Sequence, residues 1–261
     1  MHGLTMIFWY ASPILSGFSN YIWPLMLGSR DMAYPRVNAL SYWLFLASGI
    51  FIYTAMAIGQ APNDGWFGYA PFSLRPYNPG LNMDFYALGL LFLTVSTTVG
   101  AINFIGTVMT MRAPGMSLNR LPIFVYGTMT ASFAAIFALP ALTVGCAFLY
   151  LARTFHMHFF DAANGGSPLL WQHLFWILGH PWVYIIVLPA MGMISEIIPT
   201  FCRRPLVGYS YVALSTIATG LIGFGVWVHH MFATGLPQVS VSFFSGASFL
   251  ITIPSAIAVF A

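Results

Sequence analysis

The sequence predicts an all-α polytopic transmembrane helical bundle with about seven spanning helices. Of the 261 residues, 59% are hydrophobic and only 5% are charged, and the mean hydropathy is +0.82. A water-soluble domain cannot hide that share of apolar surface. Strands are excluded because the apolar runs do not alternate and an open sheet edge cannot sit in lipid. We therefore expect a single membrane domain over residues 1–261.

Each predicted helix corresponds to one apolar run near the length of about 20 residues that crosses a bilayer. Proline, glycine and the charged residues are concentrated between the runs, where they predict loops. The chain shows no basic secretory leader, and both of its ends lie in apolar sequence, so we expect a central piece of a longer chain. The runs cover roughly residues 4–27, 38–59, 85–110, 122–151, 169–200, 208–234 and 244–261.

All eight basic residues are arginine, and their distribution predicts the orientation of the helices. The net charge of +3 is spread between apolar runs and not gathered in a patch, which argues against a nucleic-acid partner. Loops rich in arginine stay on the cytoplasmic side, so the first, third and fifth loops are predicted to be cytoplasmic. These three loops contain Arg30, Arg36, Arg112, Arg120, Arg203 and Arg204, whereas Arg75 and Arg153 are assigned to the outer loops.

Three histidines and a tyrosine lie inside two of the apolar runs. His180 and Tyr184 are four residues apart, which places them on one face of a helix, and His229 and His230 belong to the next run. With the predicted orientation, His180 is roughly 17 Å and the other two are about 6–8 Å from the outer ends of their helices. A buried imidazole needs a partner, and a metal suits three of them at related depths, copper or zinc by their chemistry. Without further information, separate roles fit equally well, with one histidine buried in the core and one facing a loop.

These residues occur in motifs that identify a family. The segments WQHLFWILGHPWVY and VWVHHMFATG resemble subunit I of the heme-copper oxidases, the cytochrome c oxidase type. Further similar segments, HGLTMIFWYASPILSGFSNY and PLMLGSRDMAYPRVNALSYWL among them, extend the resemblance over essentially all 261 residues. The resemblance implies a respiratory enzyme of the bacterial plasma membrane that reduces O₂ to water. Its electrons would come from cytochrome c or quinol, and subunits II and III would be its partners.

The resemblance also implies the cofactors and the residues that serve them. His180, His229 and His230 would bind the copper called Cu-B, which faces a high-spin heme, and His2 would be an axial ligand of a low-spin heme iron. The remaining heme ligands would lie on helices beyond this chain. Tyr184 would supply an electron and a proton when O₂ is split. Trp66 and Tyr69 resemble a segment near the heme propionates, and a proton path would begin at Asp31 and follow Asn20, Asn38, Ser96, Thr97 and Asn103.

Two departures from the family pattern concern protons. Trp182 stands where the family commonly has the glutamate that ends this proton path, and Ala258 stands where it has the lysine of a second path. An indole donates one hydrogen bond and accepts none, so Trp182 cannot relay a proton. A second route would start at Glu196 and pass hydroxyl side chains at Ser215, Thr219, Thr252 and Ser255. Proton translocation, which the resemblance implies, is therefore an open question for this sequence.

Three alternative functions differ in what they require. A nitric oxide reductase of the same superfamily has non-heme iron in place of copper and wants a carboxylate near the metal, and none is apparent here. A non-catalytic membrane subunit fits the missing glutamate and lysine but not the intact histidines. A secondary transporter would need acidic residues at mid-membrane and broken helices in paired halves.

Overall fold

Long apolar runs form helices whose connections gather at the two ends of a bundle. The computed structural model describes residues 1–261, and it contains helices and no strands, which confirms the predicted all-α class. Six of its helices are long and apolar enough to cross a membrane. A further helical segment covers residues 2–27, so the predicted number of about seven is close.

We number the helices along the chain. The first, α1, is continuous from residue 2 to residue 27, but its second piece, Thr5–Ala11, has π-helical hydrogen bonding. Short 3₁₀ turns occur at Leu118–Arg120 and Ala162–Asn164. The other helices are α2 Pro35–Ala57, α3 Asn82–Thr110, α4 Ile123–Phe155, α5 Pro168–Cys202, α6 Tyr209–Ile222, α7 Gln238–Leu250 and α8 Thr252–Phe260.

Hydrogen bonds between loops show which connections lie together. The backbone N–H of Ala113 donates to the carbonyl of Leu27 over 2.8 Å, and the Tyr209 hydroxyl donates to the carbonyl of Leu121 over 2.5 Å. The connections 28–34, 111–122 and 203–208 therefore share one end, which we call the arginine-rich end. At the opposite end, the Trp171 indole donates to the carbonyl of Phe67 over 2.9 Å. This alternation agrees with the predicted loop order, and the cytoplasmic position of the arginine-rich end stays a prediction.

Helices α4 and α5 approach closely because two glycines remove side chains from their contact. A Cβ atom placed on Gly192 would lie 2.6 Å from the Cα of Phe124, a distance that real Cβ atoms do not show. Gly127 of α4 lies just as tightly against the backbone of Leu188. Small residues allow such approaches in membrane helices, where packing and not the hydrophobic effect holds helices together. This pair forms the centre of the bundle and carries His180 on its α5 side.

The prediction that Arg153 lies in a loop is wrong. Helix α4 continues through Phe155, and Arg153 lies in its last turn with 1% of its surface exposed. Its guanidinium donates to both carboxylate oxygens of Asp84 over 3.1 and 3.0 Å. Three backbone carbonyls, those of Ser73, Asn78 and Gly80, accept its remaining hydrogens. The helix can therefore continue past the predicted boundary because every donor of the guanidinium has a partner and its charge is compensated.

The sixth predicted helix is also not continuous. Helix α6 ends at Ile222, and two 3₁₀ segments, Gly223–Gly225 and Trp227–Thr234, follow it with Val226 between them. The break lies beside Tyr184, because a Cβ atom on Gly223 would be 2.7 Å from the Tyr184 Cδ2. The missing side chain at Gly223 thus makes room for the Tyr184 ring, and the tighter 3₁₀ geometry sets the direction of the histidines that follow.

Removing the carboxylate at position 84 should destabilise the bundle strongly. In Asp84→Ala, the guanidinium of Arg153 stays buried without its counter-charge, which costs about 3–5 kcal/mol. Unfolding of the purified protein in mixed micelles, followed by the loss of helical circular dichroism, measures the change. Asp161→Ala removes the same charge from a loop at the same end and should cost much less stability, because its carboxylate caps a short turn and its ion pair with His158 is exposed to solvent. Equal stability of the two variants would contradict the assignment.

Candidate metal centre

Three histidines from two helical segments converge on one point. His180 comes from the middle of α5, and His229 and His230 come from the 3₁₀ segment Trp227–Thr234. One nitrogen from each ring lies within 4.8 Å of the other two. The ring centroid of His180 lies 4.5 Å from that of His229 and 5.3 Å from that of His230. The structure therefore brings together the three residues that the sequence analysis grouped.

The nitrogen positions suit a cation. The Nδ1 of His180 and the Nε2 of His230 are 3.1 Å apart. Two nitrogens that bind one metal at about 2.0 Å are about 3.3 Å apart in a tetrahedral arrangement, so the observed spacing needs only a small adjustment. A third imidazole nearby completes a donor set that suits copper or zinc, and no carboxylate belongs to the group. The three side chains fit a metal ion.

A serine fixes the orientation of one ligand. The Ser248 hydroxyl donates its single hydrogen to the carbonyl of Phe244 over 2.6 Å. Its oxygen lies 2.7 Å from the Nδ1 of His229 and is left as an acceptor, so Nδ1–H is the donor. The Nε2 of His229 then carries the free lone pair that a metal requires. Sequence analysis missed Ser248, because the pairing joins residues 19 positions apart on different elements.

Aromatic residues enclose the third ligand. The ring of Trp176 stacks on His230 with centroids 3.9 Å apart and planes 6° from parallel. The indole N–H of Trp176 donates to the hydroxyl of Tyr69 over 2.6 Å, and Trp66 packs edge-on against the same indole. Trp66 and Tyr69 are thus linked to the histidines through Trp176. Their predicted contact with heme propionates stays a prediction.

Tyr184 lies one helical turn beyond His180, as its spacing predicts. The two rings have centroids 4.9 Å apart and an interplanar angle of 66°. The Tyr184 side chain is half-buried against Gly223, and its hydroxyl makes no hydrogen bond to the protein. The Nε2 of His180 is buried and also has no hydrogen-bond partner. A free phenol therefore lies beside the metal-binding group, where it can deliver a proton or an electron.

His2 lies apart from the three histidines, at the start of α1, and its side chain is exposed. The neighbouring Gly3 contacts the loop that follows α2, since a Cβ atom there would be 3.2 Å from the Cβ of Trp66. His2 is therefore at the end of the bundle opposite the arginine-rich end, near the aromatic residues around Trp176. Its predicted role as a heme ligand stays a prediction.

The predicted proton path corresponds in most of its members to one cavity. A cavity of about 680 Å³ is lined by polar side chains of α1 to α4 and extends to Trp182 and Pro189 of α5. Buried hydroxyls that sequence analysis did not select, Ser19, Thr128 and Ser132, continue its polar wall. The predicted residues that line it are Asp31, Asn20, Asn38, Ser96 and Thr97.

Asn103 does not line this cavity. Its side-chain oxygen accepts a hydrogen bond from the backbone N–H of Tyr34 over 2.9 Å, and it has no exposed surface. In this position Asn103 fixes the loop that carries Asp31. Trp182 closes the far side of the cavity with 3% of its surface exposed, and its indole N–H has no protein acceptor.

Asp64 is a polar residue that sequence analysis did not select. It lies in the loop before Trp66, and one of its carboxylate oxygens is buried without a hydrogen-bond partner. Burial raises the pKa of Asp64 to about 6. The local segment PND reads as an ordinary turn, so the sequence gives no sign that Asp64 is partly buried.

Comparisons with known proteins agree with the geometry. Residues 1–261 match the profile of the family described as cytochrome c and quinol oxidase polypeptide I. The chain is 46% identical over 260 residues to a cytochrome c oxidase subunit 1 of Bacillus subtilis. It is 46% identical over 261 residues to a putative cytochrome c oxidase subunit 1-beta of Streptomyces coelicolor, and 44% identical over 262 aligned positions to a probable subunit 1-beta of Nocardia farcinica. All of this chain aligns, but it spans only 42%, 45% and 44% of these relatives.

Proposed function

The chain belongs to the cytochrome c and quinol oxidase polypeptide I family, and from this premise we propose that it forms the copper-binding part of a terminal oxidase. The complete subunit would reduce O₂ to water with electrons from cytochrome c or quinol. Six helices suited to crossing a membrane and bacterial relatives make it a multi-pass protein of the bacterial plasma membrane. The observation that carries the proposal is the convergence of three imidazoles from two segments on one point.

The cofactors of the proposed enzyme are copper and two hemes. His180, His229 and His230 would hold the copper, and His2 would hold the low-spin heme iron. Bound copper and hemes would supply electrons for the reduction of O₂. Ser248 keeps the ligand nitrogen of His229 unprotonated, and Trp176 holds the plane of the His230 ring. The high-spin heme, subunits II and III and the electron donor are part of the proposal because the chain spans less than half of its relatives.

Tyr184 would contribute one electron and the proton of its hydroxyl. Its position one turn from His180 and its free hydroxyl support this role. The cavity lined by the nearby Trp182 would hold water, since its wall includes hydroxyl and amide groups that can bind water. Water there would carry protons from Asp31 toward Trp182, where the polar wall ends.

The alternatives fit the geometry less well. A nitric oxide reductase would need a carboxylate near the metal, and the metal-binding group contains histidines alone. A non-catalytic subunit would not require three imidazoles with their lone pairs directed to one point. Metal analysis separates these possibilities from a copper oxidase.

Replacing any of the three histidines should remove the copper. In the full-length subunit of the assembled enzyme, His180→Ala, His229→Ala or His230→Ala leaves two imidazoles, too few to hold the ion. Ser248→Ala should instead retain the site with copper affinity lowered about 10–100-fold, because the ligand nitrogen is no longer oriented. Mass spectrometry of the metal content and a titration with a copper chelator measure both effects.

The control for this experiment is His158→Ala, which removes an exposed histidine from the connection after α4. Its copper content should equal that of the unchanged enzyme. Full copper occupancy in all three ligand variants would refute the proposed site.

Removing the hydroxyl of Tyr184 should stop turnover without disturbing assembly. In Tyr184→Phe, the ring still packs against Gly223, but its proton and the easily oxidised phenol are lost. We expect O₂ consumption at least about a hundredfold lower, in the range for a lost proton donor. Oxygen-electrode rates are compared with the heme spectrum and copper content of the same preparation. Tyr150→Phe removes a hydroxyl from α4 as a control, and similar rates in both variants would count against the role of Tyr184.

Proton pumping should be reduced or absent during turnover. Trp182 closes the cavity without an acceptor, and Asp31 is the only acidic residue in the cavity wall. The measurement is acidification outside vesicles that contain the whole enzyme after a pulse of oxidant. Trp182→Glu should increase the pumped fraction, whereas Asp161→Asn should not alter it. A ratio of about one pumped proton per electron that Asp31→Asn abolishes would show that another group stores the proton.

A further inference from the structure

A basic pocket at the arginine-rich end is not used by the proposed redox chemistry. It has a volume of about 590 Å³ and lies where the 3₁₀ turn Leu118–Arg120, the start of α4, the end of α5 and the start of α6 meet. Arg120, Arg203 and Arg204 line it, and Glu196 is the only acidic residue in its wall. The pocket therefore gathers three of the eight arginines of the chain.

The three guanidinium groups have no partners within the protein. Every ion pair of the chain lies at the opposite end, where Asp84 and Asp161 are the acids. None of the three side chains donates a hydrogen bond to another residue, although Arg112 in the same region donates to backbone carbonyls. Glu196 is occupied with the helix start, since its carboxylate accepts the backbone N–H of Ile123 over 2.7 Å. The pocket keeps a net charge of +2 and many free donors.

Helix α5 ends at the two consecutive arginines, and both line the pocket. Arg203 ends α5 in the left-handed conformation, with a φ of 51°. Pro205 follows two residues later and cannot continue a helix. The guanidinium groups consequently lie at the terminus of a membrane-spanning helix, which is the depth of lipid headgroups.

The surface beside the pocket is apolar. Phe201 is 84% exposed and Val207 is 71% exposed, one on each side of the arginine pair. Ile197 and Ile198, one turn further along α5 toward the membrane, are more than half exposed. Acyl chains can cover these side chains, whereas a free inorganic anion cannot.

From these observations we propose that the pocket binds the phosphate headgroup of an anionic phospholipid. Arginine forks bind phosphate oxygens in pairs, and unpaired arginines at a helix terminus leave such donors available. The predicted cytoplasmic side is the side where anionic lipids and basic pockets between helices meet. The lipid would join the connections 111–122 and 203–208 at the ends of α4, α5 and α6.

The test uses the assembled enzyme with the full-length subunit, transferred to nanodiscs of phosphatidylcholine with and without phosphatidylglycerol. Native mass spectrometry counts the phosphatidylglycerol that is retained after release. The unchanged enzyme should retain it in preference to phosphatidylcholine. Arg203→Gln/Arg204→Gln should bind it about tenfold more weakly.

The matched control is Arg30→Gln/Arg36→Gln, which removes the same charge from the same end outside the pocket. It should retain phosphatidylglycerol like the unchanged enzyme. Equal loss of the lipid in both double variants would overturn the proposal, because the binding would then depend on surface charge alone. Arg120→Gln changes a pocket residue on a different element and should weaken the binding of phosphatidylglycerol several-fold. If the double variant does not assemble, this single variant takes its place in the comparison.

A separate arm titrates inorganic phosphate alone into the detergent-solubilised enzyme. Weak phosphate binding alongside retained phosphatidylglycerol supports the lipid assignment. Tight phosphate binding without a preference for phosphatidylglycerol would overturn it and identify the pocket as a site for a free anion. No retention of phosphatidylglycerol by the unchanged enzyme would also overturn it.

Discussion

Polar groups inside a membrane bundle must find partners within the protein, because no bulk water reaches them. Most of the buried polar side chains of this chain meet that requirement locally. Thr107, Ser132 and Ser195 donate to carbonyls four residues earlier on their own helices. Arg153 meets it over a distance, with five hydrogen bonds to one carboxylate and three carbonyls.

Some of the exceptions lie in the proposed functional region. Nine buried side-chain polar atoms have no protein partner, and three of them belong to the metal centre and to the cavity lined by Trp182. They are the Nε2 of His180, the indole nitrogen of Trp182 and the side-chain oxygen of Asn20. An orphaned polar atom in a dry interior is costly, so such atoms persist where a ligand or ordered water completes the site. Of these three atoms, the Nε2 of His180 belongs to the converging imidazoles, and the other two line the cavity.

The sequence was sufficient to predict features that depend on spacing and composition. The helical class, the order of the loops and the grouping of His180 with His229 and His230 all follow from apolar length and helical periodicity. Sequence-based prediction was wrong or incomplete where a contact with a residue distant in the sequence determines the local structure. Arg153 reads as a loop residue until Asp84, 69 positions away, compensates its charge. The helix break after Ile222 and the orienting serine at 248 likewise depend on neighbours that only the folded chain supplies.

The two halves of the proposed chemistry are supported by different parts of the fold. Electron transfer needs rigid ligands, and these are held by stacking on Trp176 and by the hydrogen bond to Ser248. Proton delivery needs groups that can bind and order water. The cavity wall supplies hydroxyl and amide side chains among apolar ones, and Trp182 adds a group that only donates hydrogen bonds. Because Trp182 leaves the ligands untouched, the proposed enzyme would keep the reduction of O₂ while losing the step that would couple it to pumping.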